Sequence, residues 1–357
     1  MAERDEGGGP TSADATAARK RDHLRLSLDA DVGFATLTSG LERYRVRARA
    51  LPERDLDDVD LGRDLWGRRL AAPLLVSCMT GGVSEAGPVN RALAVAAQAH
   101  GVALGLGSGR ALLDGSGDEE RLASFRVRDV APDVLLLANL GAVQLQQYGA
   151  ADCTRLVEAC EADVLVLHLN AVQEAVQPGG DTTFAGVLDA IAEVCEGLDV
   201  PVVVKEVGFG MSPEDVTALA GTGVAGIDVA GAGGTNWARV EGLRDDRAGR
   251  VAAAFVDWGW PTADAVRAAR MRLDEAGRPD VVLIGSGGLD DGVDALKVLC
   301  LGADLAGLAR GLLAAGARGP DAATDAVGVL CTQLRVAAWA AGAGGVVDLG
   351  RDLLTTV

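Results

Sequence analysis

Short apolar runs that end in glycine or in a polar residue recur along most of the chain. Most are separated by segments rich in alanine and leucine with a helical period, such as 90–99, 151–162 and 263–276. Apolar runs of this kind predict buried strands, and strands that alternate with helices predict a parallel sheet. The eightfold alternation predicts an α/β protein with a single (β/α)8 TIM barrel and an N-terminal extension. The predicted strands are 73–79, 102–108, 134–140, 164–170, 202–207, 226–230, 281–285 and 305–309.

The extension precedes the first predicted strand. Residues 1–18 are small and polar, which predicts a disordered tail. Residues 19–72 are predicted to open with a short helix and to form a substrate lid and an approach to the barrel. The barrel is predicted over 73–357, with a closing helix over 321–341. The segment 236–260 is longer than a connecting loop needs to be, so we expect it to lie over the site.

Composition excludes several classes of partner. The formal net charge of −18 argues against nucleic acid, because a polyanion would be repelled. No uncharged apolar stretch of about 18 residues predicts a membrane span, and the N-terminal residues contain no apolar signal segment. The six cysteines have no C-x-x-C spacing, which favours reduced thiols in a cytoplasmic protein.

Polar groups follow most of the predicted strands, at the barrel end where catalytic residues are found in this fold. Lys205, one of only three lysines, lies inside a predicted buried strand, where an ammonium group must be paired or functional. Glycine turns at 231–235 and 285–288 predict backbone cradles for a phosphate. Together these features predict a phosphate-bearing cofactor across the barrel. From the residues alone, pairing of Lys205 with Glu174 or Glu206 remains an alternative.

Four blocks, in this order, resemble the type 2, FMN-dependent isopentenyl-diphosphate isomerase family. They are Met79-Thr-Gly-Gly82, His168-Leu-Asn-Ala-Val-Gln-Glu174, Lys205-Glu-Val-Gly-Phe-Gly-Met-Ser212, and Gly233-Gly-Thr235 followed by Trp237 and Glu241. The resemblance runs from Arg19 to about Leu313 and so covers most of the chain. A single glycine block would be weak evidence, since many phosphate-binding barrels carry one, but the ordered set is specific.

The resemblance implies an enzyme that interconverts isopentenyl diphosphate and dimethylallyl diphosphate in isoprenoid synthesis. The reaction has no net redox change, so reduced FMN is expected to act as an acid–base group. NADPH is expected only as the initial reductant of the flavin, and Mg²⁺ as the ion that binds the diphosphate. We also expect a homo-oligomer, either a tetramer or an octamer.

The resemblance also implies residue roles. Lys205 would stabilise the anionic reduced flavin, Gln173 would act near the reacting carbons, and His168 would lie against the substrate. Glu174 would bind the metal, since Mg²⁺ prefers oxygen ligands. Without the resemblance, Gln173 and Glu174 would be interpreted as an ordinary polar loop, and His168 as a hydrogen-bonded core residue.

Substrate and cofactor contacts complete the predicted site. The cations near the diphosphate would come largely from a basic cluster that is exceptional in so acidic a chain. The predicted substrate contacts are Arg19, Lys20, His23, Arg110, Asn170 and Gln173. The predicted FMN contacts are Met79, Thr80, Ser108, Asn139, Lys205, Gly234, Thr235, Ser286, Gly287, Gly288, Ala309 and Arg310.

Departures from the family pattern leave alternatives open. Gly109 stands where the family usually has a bulky residue, and Gly179 and Thr182 stand where it usually has an acidic residue and an arginine. An FMN oxidoreductase of the 2-hydroxy-acid oxidase type is one rival, but it needs a histidine base after strand 7, where residues 286–290 contain none. A non-catalytic flavin- or diphosphate-binding relative is the other, and the presence of Gln173, Glu174 and Lys205 together counts against it.

Overall fold

Eight parallel strands close into a barrel in the computed structural model, which describes residues 12–115 and 119–357. All eight predicted strands are confirmed, and most are shorter than the apolar runs that predicted them. Each strand pairs with the next in the chain, and the last pairs with the first. The strands are β1 Leu74–Val76, β2 Ala103–Gly105, β3 Leu136–Gly141, β4 Val164–Leu169, β5 Val202–Glu206, β6 Gly226–Asp228, β7 Val282–Ser286 and β8 Leu305–Leu308.

Helices bury the outer face of the barrel strands, and side chains packed in the barrel interior bury the inner face, so the strands are apolar on both faces. The predicted closing helix is confirmed as α14, which packs against α2. The helices are α1 Ser12–Asp29, α2 Ala86–His100, α3 Arg110–Leu113, α4 Glu119–Ala123, α5 Ala150–Cys160, α6 Ala171–Val176, α7 Val187–Gly197, α8 Pro213–Ala220, α9 Trp237–Gly242, α10 Asp246–Ala252, α11 Thr262–Glu275, α12 Gly292–Cys300, α13 Arg310–Ala317 and α14 Pro320–Ala340.

A short hairpin closes the N-terminal end of the barrel. Its strands are Arg63–Leu65 and Arg68–Leu70, and its two leucines pack with interior residues such as Val203. Trp66, at the turn, lies against Gly226, the first residue of β6. Because this end is filled with apolar side chains, the site can open only at the opposite end. A second two-stranded sheet pairs Tyr44–Val46 with Leu354–Thr356.

Helix α1 begins earlier than the sequence predicts. Residues 12–18 belong to it, whereas the sequence predicts them to be disordered, and residues 1–11 lie outside the described part of the chain. Alanine-rich segments favour helix, and Ala17 is buried against Val83 and Ala86. The small side chain of Ala17 therefore packs this helix against the rest of the protein, although the composition of the segment alone predicts a disordered tail.

The 236–260 segment folds into α9, α10 and a short 3-10 helix. Ala238 of α9 and Ala248 of α10 pack with Val176 of α6 and with Phe209. Helix α9 also contacts α1, so the two helices lie side by side near the C-terminal strand ends. No described helix is long and apolar enough to cross a membrane.

Candidate active site

A cavity lies at the C-terminal ends of the barrel strands, and every residue that the sequence predicts for the site lines it. The lining extends from Arg19 on α1 to Arg310 at the start of α13. Strand register explains part of this convergence: Lys205 is paired with His168 on one side and with Asp228 on the other. The side chains at the ends of three neighbouring strands therefore share one edge of the barrel.

Lys205 is 8% exposed, and its Nζ donates to the backbone carbonyl of Glu206 at 2.5 Å. The Glu206 carboxylate accepts instead from backbone N–H groups, including that of Phe209 at 2.6 Å. The direct contact of the ammonium is thus a carbonyl and not a carboxylate. An ammonium group has three donors, so Lys205 can still donate to an acceptor in the cavity that it lines.

The glycine loops after β6 and β7 pack against each other. A Cβ on Gly234 would lie 2.6 Å from the Gly288 nitrogen, and one on Gly288 would lie 2.6 Å from the Gly233 carbonyl carbon. Gly287 and Gly288 also have positive φ values of 104° and 64°, which other residues rarely adopt. Only glycine allows the two loops to approach each other so closely. As a result, the backbone of both loops lines the cavity beside the N-terminus of α13. Such a cradle fits the phosphate of FMN.

His168 is tied to Asn139, with 2.7 Å between Nδ1 and the amide oxygen. Burial, followed by the positive charges of Lys205 and Lys20, lowers the pKa of His168 to about 3. The imidazole is therefore neutral near pH 7, where it can orient the Asn139 amide but cannot act as a cation for a diphosphate.

This pKa predicts a pH dependence of stability. The unfolded chain takes up the His168 proton near pH 6.5, while the folded chain does so only near pH 3. The stability contributed by the neutral ring is present above about pH 6.5 and is lost as the pH falls towards 3. We expect His168→Gln to flatten the fall in melting temperature between pH 7 and pH 5. A wild-type slope in the variant would contradict the assigned pKa.

Glu174 is held by three donors on neighbouring backbone and side chains. Its carboxylate accepts from Asn170 Nδ2 at 2.9 Å, Gln177 Nε2 at 3.2 Å and the Asp181 N–H at 2.8 Å. Within the described ranges, no group of three His, Cys, Asp or Glu residues could hold a metal ion. Glu174 can thus supply one oxygen ligand, and Mg²⁺ bound there would need its others from water and a substrate diphosphate.

Glu241 joins α1, α6 and α9, although the sequence indicates it only as the end of a motif. Its fully buried carboxylate accepts from Gln173 Nε2 at 3.0 Å and Arg244 Nη1 at 2.7 Å, and lies 2.8 Å from His23 Nε2. Burial alone would raise the pKa of Glu241, but these partners hold it near 2. Gln173 and His23 are therefore positioned by one ionised carboxylate.

Cations from α1 and α3 also line the cavity. Lys20 donates from Nζ to the Ser108 carbonyl at 2.9 Å, and burial lowers its pKa to about 8, with Arg19 as the next cause. Burial also lowers the pKa of Arg19. The charges of Glu174 and Glu241 raise this pKa, whereas those of Arg244 and Arg110 lower it. A bound polyanion would relieve this repulsion, as expected of a diphosphate subsite.

Comparison with known proteins gives the family. Residues 149–356 match the family of FMN-dependent dehydrogenases. Curated relatives include the isopentenyl-diphosphate delta-isomerase of Nostoc sp., 48% identical over 86% of this chain and 87% of that protein. The one of Xanthobacter autotrophicus is 48% identical over 95% of this chain and 97% of that protein. This chain belongs to the isopentenyl-diphosphate delta-isomerase family.

Solved structures support the fold of this isomerase family member. A mandelate oxidase variant with an FMN adduct superposes with a TM-score of 0.64 at 20% identity, over 96% of this chain and 99% of that one. A flavocytochrome b2 variant superposes with a TM-score of 0.68 at 19% identity, over 94% and 82% of the respective chains. At such low identity these structures support the barrel and not a shared reaction.

Two of the three departures from the isomerase family pattern have a steric context. A Cβ on Gly109 would lie 2.5 Å from Leu156 Cδ1, so the α5 side chain occupies the space that a bulky residue would need. Gly179 has a φ of 70°, a conformation that favours glycine in the turn after α6. Nothing in the structure explains Thr182.

The cavity also contains residues that the sequence analysis did not predict. Ser77 and Cys78 directly follow β1, Gln144 follows β3, and Gln177 lies about one helical turn after Glu174. Because catalytic groups of this fold lie at strand ends, that rule could have identified most of them. These additional lining residues include Ser27, Ser77, Cys78, Gln144, Gln177 and Asp290.

Proposed function

We propose that this protein interconverts isopentenyl diphosphate and dimethylallyl diphosphate with reduced FMN as its cofactor. The observation that carries the proposal is one cavity that combines a glycine cradle, a buried lysine, a Gln–Glu pair and a basic wall. Identities of up to 48% to isopentenyl-diphosphate delta-isomerases over most of the chain support the same activity.

The residues present fit FMN. The glycine loops and the start of α13 would hold its phosphate, with Thr235 in the same wall. Lys205 would donate to the ring and stabilise its negative charge, since a buried ammonium acts more strongly than one in water. When bound, reduced FMN would supply an acid–base group for the allylic carbons. His168 would orient the Asn139 amide towards the same cavity.

Gln173 is the side chain best placed to orient a proton near the substrate carbons. It is buried, its Nε2 donates to Glu241, and its Oε1 accepts from Asn170 Nδ2 at 3.3 Å. Both ends of the amide are therefore constrained, and its position depends on the charge of Glu241. Such restraint is what a catalytic group needs, because small misplacements reduce rates strongly.

The diphosphate would be held by a metal ion and by the cations that line the cavity. Glu174 would bind Mg²⁺, and Arg19, Lys20 and Arg110 would neutralise the phosphate oxygens. Helix α1 carries two of these cations and is connected to α9 through His23, so it would exclude water from the reacting carbons.

Glu174→Gln tests the metal assignment. We expect a raised KM for the diphosphate and a weaker dependence on Mg²⁺, because a neutral amide is a poorer ligand. FMN binding should be unchanged. Titrations of Mg²⁺ and FMN compare this variant with Glu193→Gln, an exposed change on the outer helix α7. Loss of FMN with an unaltered Mg²⁺ dependence would assign Glu174 to the cofactor.

The oxidase alternative lacks a residue for its base. Each histidine has a partner elsewhere: His23 contacts Glu241, His100 contacts the Thr324 carbonyl and His168 contacts Asn139. None of the three follows β7. The histidine placement therefore favours the isomerase.

We further propose a cytoplasmic protein whose flavin is reduced by NADPH and which assembles as a tetramer or octamer. All six cysteines are free, in keeping with a reducing compartment. Trp258 and Trp260, 56% and 41% exposed, supply apolar surface that a second copy could bury.

A further inference from the structure

Asp228 is a buried carboxylate that neither the predicted site nor the proposed mechanism uses. It ends β6, is 1% exposed and is paired in register with Lys205 on β5. An ionisable group is rarely buried so fully unless it is paired or functional. Its position at a C-terminal strand end is where this fold carries catalytic groups.

One oxygen of this carboxylate is satisfied and the other is not. Oδ1 accepts from Ser286 Oγ at 2.6 Å and from the Ala230 N–H at 3.1 Å. Oδ2 is buried and has no hydrogen-bond partner among the described residues. Leaving a buried acceptor unsatisfied is costly, and more so for a charged group, so a function should offset this cost.

The carboxylate lies directly behind the wall of the cavity. Ser286, its donor, lines the cavity together with Ser77 and Gly307. A Cβ on Gly307 would lie 2.6 Å from Ser77 Oγ and 2.7 Å from Ser286 Cβ, so the three residues meet at one point. Ser77 Oγ is a second buried polar atom without a partner in the described chain. This part of the wall therefore has unused hydrogen-bonding capacity towards a ligand.

The charges at this point oppose each other. Burial raises the pKa of Asp228, while the charge of Lys205 and the donors Ser286 and Ala230 lower it. Cys78, which also lines the cavity, is affected by both Lys205 and Asp228. Charges in a buried site interact more strongly than in water, so the ionised carboxylate reduces the positive potential that Lys205 exerts on the cavity.

We propose that Asp228 is a positioning residue that sets the reduction potential of the flavin by opposing the charge of Lys205. This inference rests on the proposed FMN site. Because Ser286 has one hydroxyl proton and donates it to Asp228, its hydroxyl can only accept from a group in the cavity. In its ionised form, Asp228 makes an anionic reduced ring less stable than Lys205 alone would make it, and so opposes reduction.

The test is the midpoint potential of bound FMN in Asp228→Asn. The amide oxygen can still accept from Ser286 and Ala230, while the charge is removed. We expect the reduced-to-oxidised ratio at a fixed potential to rise at least tenfold, which is a positive shift of about 30 mV for two electrons. Anaerobic spectroelectrochemical titration measures it, and the FMN dissociation constant is measured in parallel.

Three further variants make the result specific. Asp189→Asn, an exposed change on α7, is the matched control and should leave the potential unchanged. Ser286→Ala retains the carboxylate and should not raise the potential; a rise equal to that of Asp228→Asn would contradict a role for the charge. Asp228→Ser is a second charge-free variant that should show the same positive shift if the asparagine variant does not fold.

The outcomes separate this inference from the function on which it rests. FMN bound at an unchanged potential in the charge-free variants, even with an altered melting temperature, would reduce Asp228 to a structural role and overturn the inference alone. A wild-type protein that binds no FMN would overturn the proposed function and this inference together.

Discussion

Lys205→Ala is expected to lower turnover by on the order of a hundredfold or more, because it removes a charge aimed at developing negative charge in a buried site. FMN should also be retained less tightly. The barrel should remain folded, since among the described residues Lys205 donates to a single backbone carbonyl. Turnover measured with excess FMN separates the loss of chemistry from the loss of cofactor.

Lys297→Ala is the matched control for this experiment. Lys297 lies on α12 and pairs with Asp294 of the same helix, away from the cavity lining. It should retain wild-type turnover and flavin content. Turnover of Lys205→Ala within a few-fold of wild type, with flavin bound, would rule out the assigned role.

Glu241→Gln is expected to give the second largest effect. The change removes the charge that positions Gln173, binds Arg244 and contacts His23. A hydrogen bond to a charged group contributes about 1.5–3 kcal/mol, so loss of one at the transition state lowers kcat roughly tenfold to a hundredfold. Steady-state kinetics at saturating Mg²⁺ and FMN measure this.

Asp22→Asn is the control for Glu241→Gln, because it also removes a carboxylate beside Arg244 but leaves the contacts of Glu241 with Gln173 and His23 in place. Asp22 contacts the same Arg244 at 3.4 Å from the partly exposed side of α1, and weak exposed pairs contribute little. It should leave kcat within about twofold. Equal effects of the two changes would mean that Glu241 acts only through Arg244.

Local sequence patterns determine the barrel well. Each apolar run between turn residues became a strand, because a run such as 202–206 is buried on both faces, one towards the barrel interior and one towards the surrounding helices. The glycine turns were also predictable from local sequence, because positions such as Gly288 require a backbone conformation that other residues avoid. Lys205 was recognisable as a candidate site residue because a lysine inside an apolar run has no solvent to contact.

Residues that depend on distant neighbours were not predictable in this way. Asp228 follows a glycine and an isoleucine and could be any strand end; only its pairing with Ser286, 58 positions away, gives it meaning. Glu241 lies on a short helix whose contacts come from α1 and α6. The start of α1 was not predicted because the contact that buries Ala17 is made with Val83, a residue far away in the sequence.

The measurement that most directly tests the isomerase assignment is the number of products formed per reduction of the flavin. The protein is reduced once with NADPH under anaerobic conditions, with Mg²⁺ present, and supplied with excess isopentenyl diphosphate in D₂O. We predict many equivalents of dimethylallyl diphosphate without further NADPH consumption, and deuterium in the allylic product. Product that follows NADPH one for one, or no reaction with either diphosphate, would contradict the account.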